Sequence, residues 1–324
     1  MTTLSFPTGP GRAPGAPATR VIRTSDRESL DPAEAWELPA TTADLEELST
    51  KRFERLPHRP ASLAEIPPGA AAALGALIGE MPMEHLFVIP RVARSIGVDR
   101  ADWVVSPTEV VAIGRDRIAI WLDDPAGARV RAVMPFADIV AVLDRSILLY
   151  GRLEIIGPEA SIVVRYNTVG QPELRELLLP LRRSFEPVGT PVSDVSGRDP
   201  GSMPHKWMSV LHSSDVRVRG REPMLVAAGD LDNPMPQLHN GVAVLTAAEL
   251  VVATDPTPDI HAAQYGVDLL TVPRALVTGL AGSGGVLEIT VGATPHPVDL
   301  RLDAHPSLVA DAVRLLGPLT RQRA

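Results

Sequence analysis

A chain of 324 residues with 45% hydrophobic content has room for two ordinary domains with real cores, and is too apolar for global disorder. A net charge of −8 argues against a nucleic-acid binder, whose affinity comes from cations that neutralise phosphates. The absence of cysteine removes disulfides, thiol catalysis and cysteine-held zinc together.

In chain order, the opening "MTTLSFPTGPGRAPGAPATR" is too rich in Pro, Gly and Ala to bury much surface. "TTADLEELSTKRFERL" reads as a helix capped by Thr41 or Thr42, and "GAAAALGALIGEM" as a second. Residues 1–80 are therefore expected to form a partly helical, partly disordered N-terminal arm. The apolar run from Ala71 to Gly79 is far too short to span a membrane, and no apolar leader follows Arg12, Arg20 or Arg23. A cytoplasmic location is the resulting expectation.

From Asp102 to Tyr166 the text becomes β-like, with short β-branched runs separated by turn residues such as Asp123 to Gly127. "QPELRELLLPLRRSF" then places Leu174, Leu177, Leu178 and Leu181 on one helical face behind Pro172. Residues 187–222 are rich in Pro, Gly and Ser and read as a linker. From Pro223 a second β-like region begins, and it too ends in a helix, "HPSLVADAVRLLGPLTRQ".

The two regions echo each other. "GRLEIIG" at Gly151 returns as "GVLEITVG" at Gly285, and Leu153 matches Leu287 at a spacing of 287 − 153 = 134. Pro172 and Pro306, Leu174 and Leu308, Leu178 and Ala312, and Leu181 and Leu315 keep that spacing. At the same spacing Val164 and Tyr166 fall on Val298 and Leu300, while Pro135 and Pro273 stand 138 apart. One unit written twice is the expectation.

"MPFADIVAVL" and "GRLEIIG…IVVRYN…PELRELLLPLR" resemble bacterial pleckstrin-homology-like and GRAM-like domains. The resemblance covers residues 81–186 and, more weakly, 223–324, where the acidic residue of the first motif is missing. It implies an α+β fold: two copies of a small, mainly antiparallel, partly open β-barrel, each capped by a C-terminal amphipathic helix. Headgroup binding in such domains needs a basic cup. The first copy holds 13 basic and 14 acidic residues and the second 5 and 10, so membrane binding is disfavoured.

Few stretches of the chain carry a chemical signature. "AGSGGV" at Ala281 joins two strands instead of opening a helix, so it reads as a hairpin turn, not a phosphate loop. His205, His212 and Asp215 would suit a metal only if their segment folded back, and adjacent His212, Ser213, Ser214 and Asp215 seldom give triad geometry. No catalytic residue, metal or cofactor is assigned. Arg217, Arg219 and Arg221 alternate as one face of a strand would and form a candidate anion-facing patch. The leading expectation is a non-enzymatic interaction or scaffold module with an unidentified protein partner, its two copies also packing on each other. The alternatives are an enzyme or small-ligand binder with a site between the copies, drawing on Tyr150, Arg152, Arg165 and Tyr166, and weak lipid-headgroup binding.

Overall fold

The computed structural model describes residues 20–23, 37–50, 56–79, 82–96, 102–123, 129–147, 150–185, 187, 205–213, 225–228, 240–256, 266–292 and 297–320. The fold is α+β, its sheets are mainly antiparallel, and the last described element is a helix. No helix among the described residues is long and apolar enough to cross a membrane.

Strand β1 (Arg20–Arg23) comes first, followed by the two-residue β2 (Leu38–Pro39) and helix α1 (Thr42–Thr50). Thr41 and Asp44 close α1 reciprocally: the Asp44 amide donates to Thr41 Oγ1 at 3.2 Å and the Thr41 amide to Asp44 Oδ2 at 2.9 Å. The Thr41 hydroxyl, above all, holds the Asp44 carboxyl below its ordinary range. Helix α2 (Ala70–Ile78) buries Ala70, Leu74 and Ile78.

Strands β3 (Leu86–Ile89), β4 (Val92–Ile96) and β5 (Asp102–Ser106) follow. Pro107 has no amide to give a ladder, so the "DWVVSPTEVVAIG" run divides there and β6 (Glu109–Ile113) starts a new strand. Then come β7 (Arg117–Leu122), β8 (Arg129–Pro135), a 3-10 turn at Phe136–Asp138, β9 (Ala141–Ile147), β10 (Tyr150–Ile156) and β11 (Ser161–Asn167). The expected single helix after β11 is two: α3 (Gln171–Leu177) and α4 (Leu179–Arg183). Pro180 explains the break, since it cannot return a hydrogen bond to the preceding turn.

Within the expected linker lies α5 (His205–Ser213), with Trp207 and Leu211 buried. Strands β12 (Leu225–Ala228), β13 (Gly241–Leu245), β14 (Glu249–Thr254) and β15 (Gly266–Pro273) follow. After a 3-10 turn at Arg274–Leu276 come β16 (Val277–Ser283), β17 (Val286–Val291), β18 (Val298–Asp303) and helix α6 (Pro306–Thr320). "AGSGGV" is a hairpin turn, with Gly284 at φ 59° and Gly285 at φ 88°, values that favour glycine in a two-residue connection.

The order helix, strand, hairpin, long strand, 3-10 turn, strand, hairpin and helix thus occurs twice, with β4 and β5 inserted in the first half. Strand registers locate the correspondence. Ile113 pairs with Ile118 and Leu245 with Leu250, a spacing of 132 (245 − 113 = 132). Arg117 pairs with Pro135 and Glu249 with Pro273, so the two prolines do correspond at 138. Ile147 pairs with Tyr150 and Ser283 with Val286; Ile155 pairs with Ile162 and Val291 with Val298. Both hairpins therefore match at 136 (286 − 150 = 136), not 134. The counterparts of Leu153, Val164 and Tyr166 are Ile289, Leu300 and Leu302. The helices return to 134 because the first half alone has a 3-10 turn, Thr168–Gly170, before its helix.

Among the described residues the strands form four sheets, in the orders β3-β6-β7-β8, β2-β5-β4, β1-β18-β17-β16 and β11-β10-β9-β15-β14-β13-β12. In the last, β9 of the first half pairs antiparallel with β15 of the second. Alternation then feeds separate cores. Val142, Leu153 and Ile155 pack with Phe87, Val111 and the leucines of α3 and α4, whereas Ala141, Leu143 and Ile156 pack with β13 to β18 and α6. Helix α5 covers Val242, Val244, Val251 and Leu269, and α2 covers Leu86, Val110 and Trp121.

Strand β1 is joined more lightly. Fixing four residues costs about 1–2 kcal/mol each. Against this, burying Ile22 returns about 1.5–3 kcal/mol and each interstrand hydrogen bond about 0.5–1.5 kcal/mol. Opposing terms of one size leave a marginal strand.

Gly151 lies opposite Tyr166, and a Cβ placed there would meet the ring at 2.3 Å. Gly151→Ala is expected to cost about 1–3 kcal/mol by overpacking, seen as a lower urea midpoint with an unchanged denaturant slope.

Candidate functional site

The densest buried chemistry lies along the junction of β9 with β15. Arg145 and Asp268 stand directly opposite each other, and the guanidinium donates twice to the carboxylate, both at 2.9 Å. On the other face of β9, Asp144 accepts from the Tyr166 hydroxyl, from Gln171 Nε2 at 3.1 Å and from Arg175 Nε at 3.0 Å. Gln171 also donates to Tyr166 Oη at 3.2 Å. A second bidentate pair crosses between the halves: Arg182 of α4 donates to Glu249 of β14 at 3.0 and 2.6 Å. The Thr246 hydroxyl accepts from the Glu249 amide at 2.9 Å, and Arg274 donates to the Thr246 carbonyl at 3.3 Å.

Burial, first, and then the charge of Asp144 push the Tyr166 phenol well above its ordinary value. At neutral pH it is a fixed hydrogen-bond donor and not a base. The arrangement is suited to holding parts in register. Where the first half has Asp144, Tyr166 and Arg175, the second has Leu280, Leu302 and Val309, all buried in an apolar core. Gly151 makes room for the Tyr166 ring; its counterpart Leu287 packs on Leu302 instead.

Of the residues read from the sequence as one ligand site, Tyr150, Arg152 and Arg165 fall on one face of the sheet by register, and Tyr166 falls on the other. Tyr150 is 73% exposed beside the β9–β10 connection, while Tyr166 is buried. Arg152 lies between Arg145 and Arg165 in one cross-strand row, with Glu154 Oε2 at 3.7 Å from Arg152. Arg152 and Arg165 therefore share a face, opposite the one that carries Tyr166. Arg217, Arg219 and Arg221 lie outside the described residues, as do Ser214 and Asp215; His205 and His212 fall on α5. Between the halves a small, mainly apolar cavity, about 10 Å³, is lined by Ile22, Leu143, Ile156, Leu270, Leu300, Leu302 and Arg301. That volume is about one water and no more.

Asp144, Arg145, Arg182, Glu249 and Asp268 were not singled out by motif. The signal was present in "AVLDRSILL", "ELVVAT" and "VDLLTV": a charge inside an apolar strand run needs a buried partner. No protein-family model matches the chain, and no curated protein matches it.

Two outcomes are expected. Asp268→Ala should cost about 3–5 kcal/mol by stranding Arg145, while joint replacement of both by leucine should recover most of it, in urea unfolding. Tyr166, with its pKa raised in the fold, contributes stability that is complete below 10.0 and lost as pH rises above it. The unfolding free energy should fall in that range, and Tyr166→Phe should remove this component of the profile.

Proposed function

We propose that this protein is a non-enzymatic interaction or scaffold module built on tandem pleckstrin-homology-like domains. The observation that carries the reading is the union of two like orders of elements through β9 and β15, with Arg145–Asp268 and Arg182–Glu249 across the junction. Such a union presents two related surfaces in a fixed relation, which suits a platform better than a moving cleft.

The first half adds what a partner could grip. Its inserted sheet, β2-β5-β4, carries Trp103 at 44% and Leu38 at 48% exposure, diagonal neighbours across the β2–β5 pairing. Aromatic side chains half in water are favoured anchors of protein interfaces, where their apolar area is buried at little entropic cost. The partner fitting this patch is a protein with an apolar surface of its own.

Site-specific photo-crosslinking in the native host tests the reading, with the photoreactive residue at position 103 and, as control, at the exposed Arg314 on α6. One recurrent protein should be captured from position 103, not from 314, and Leu38→Asp should abolish the capture. Identical adduct patterns from both positions would overturn it.

A further inference from the structure

The pairing of β1 with β18 is the one parallel pairing among the described residues, with Arg20 opposite Val298, Val21 opposite Asp299, Ile22 opposite Leu300 and Arg23 opposite Arg301. Strand β1 precedes both ordered halves, and β11, the counterpart of β18, is the terminal strand of its sheet. The strand is thus an addition to the repeated plan. Of its two described side chains, Ile22 is buried at 5% exposure and Val21 is 46% exposed. Ile22 lines a slot together with Leu143 and Ile156 from the first half and Leu270, Leu300, Arg301 and Leu302 from the second. It exists only where the halves meet.

We propose that the edge of β18 and the slot under Ile22 form a strand-docking groove. Its ligand is the segment Arg20–Arg23: the chain's own in an isolated molecule, a second copy's when molecules are brought together. The fit is already displayed within the chain, because these four residues pair with the edge and Ile22 is buried against the slot. The marginal energetics of so short a strand let it leave, and a parallel edge strand joined to the rest through residues 24–36 can be exchanged without disturbing any hairpin. Reciprocal exchange is closed and two-fold, as stable self-association requires. This inference rests on the interaction-module reading and gives it a partner, a second copy, at a place remote from the inserted sheet.

The cysteine-free chain makes the test clean. Full-length Val21→Cys and Asp299→Cys proteins are mixed at rising concentration under mild oxidation, and covalent species are resolved by mass. A chain carrying both substitutions should close within itself, which verifies the register. In the mixture, the 21–299 heterodimer should exceed the 21–21 homodimer by about tenfold, because docking raises the local concentration of the correct thiols. Adding Ile22→Asp to the Val21→Cys chain should remove that excess. A heterodimer no more abundant than the homodimer, or one indifferent to Ile22→Asp, would overturn the proposal. Neither result bears on capture from position 103, so failure here and failure of the interaction-module reading are told apart.

Discussion

Everything in this fold depends on β9 having both its faces buried. A strand at the rim of one core can alternate apolar and polar residues; a strand that joins two cores cannot. In β9, Val142 faces the first core and Leu143 the second, one peptide apart. Because β15 lies directly alongside, the sheet passes from one half to the other without an edge. Its outer surfaces then need cover, which explains α5 over β13, β14 and β15. The same demand is met by α2 over β3, β6 and β7.

Buried alternation has a weakness. A slip of two residues returns every side chain to the same face, so apolar patterning alone leaves the pairing of β9 with β15 underdetermined. Arg145 and Asp268 remove the ambiguity. At the observed register both are satisfied, and at a slip of two each would be buried without its partner, a penalty of about 3–5 kcal/mol. Arg182 and Glu249 repeat the device between α4 and β14. The net stabilisation of such pairs is small beside the cost of breaking them, so their effect is to exclude alternatives more than to deepen the native state.

The same slip explains what the sequence could and could not reveal. Strands and closing helices were legible from β-branched runs and from Leu174, Leu178 and Leu181 with their counterparts, because period reports directly on buried faces. The spacing of the hairpins was not: 134 and 136 are both even, and a Val/Leu strand matches itself equally well at either. Only hydrogen-bond register distinguishes them, and it makes Leu287 the counterpart of Gly151. Helix α5 escaped notice because Trp207, Met208, Val210 and Leu211 make little more than one turn of apolar pattern inside Pro-, Gly- and Ser-rich text. Strand β1 escaped because four residues carry no period. Of the candidate site, the sequence grouped Tyr150, Arg152, Arg165 and Tyr166, but the row that Arg152 and Arg165 share with Arg145 depends on pairings that local sequence does not encode.

Joining the fourth strand of one half to the fifth of the other leaves a fourth and a fifth strand over, β8 and β16, each at the end of its sheet. Head-to-tail repetition of the internal junction would pair them and build an open filament. The residues oppose it. At the positions of Arg145 and Asp268 these strands carry Ala281 and Arg129, so the oppositely charged pair that locks the register is missing. The ladder is irregular between Val277 and Gly279 on β16 and opposite Ile120 and Trp121 on β8, and β8 closes on Pro135. Bulges and proline blunt an edge against a further strand. These two leftover edges are therefore poorly matched to repeat the junction between chains. The edge of β18 differs from both, because it already accepts an added parallel strand.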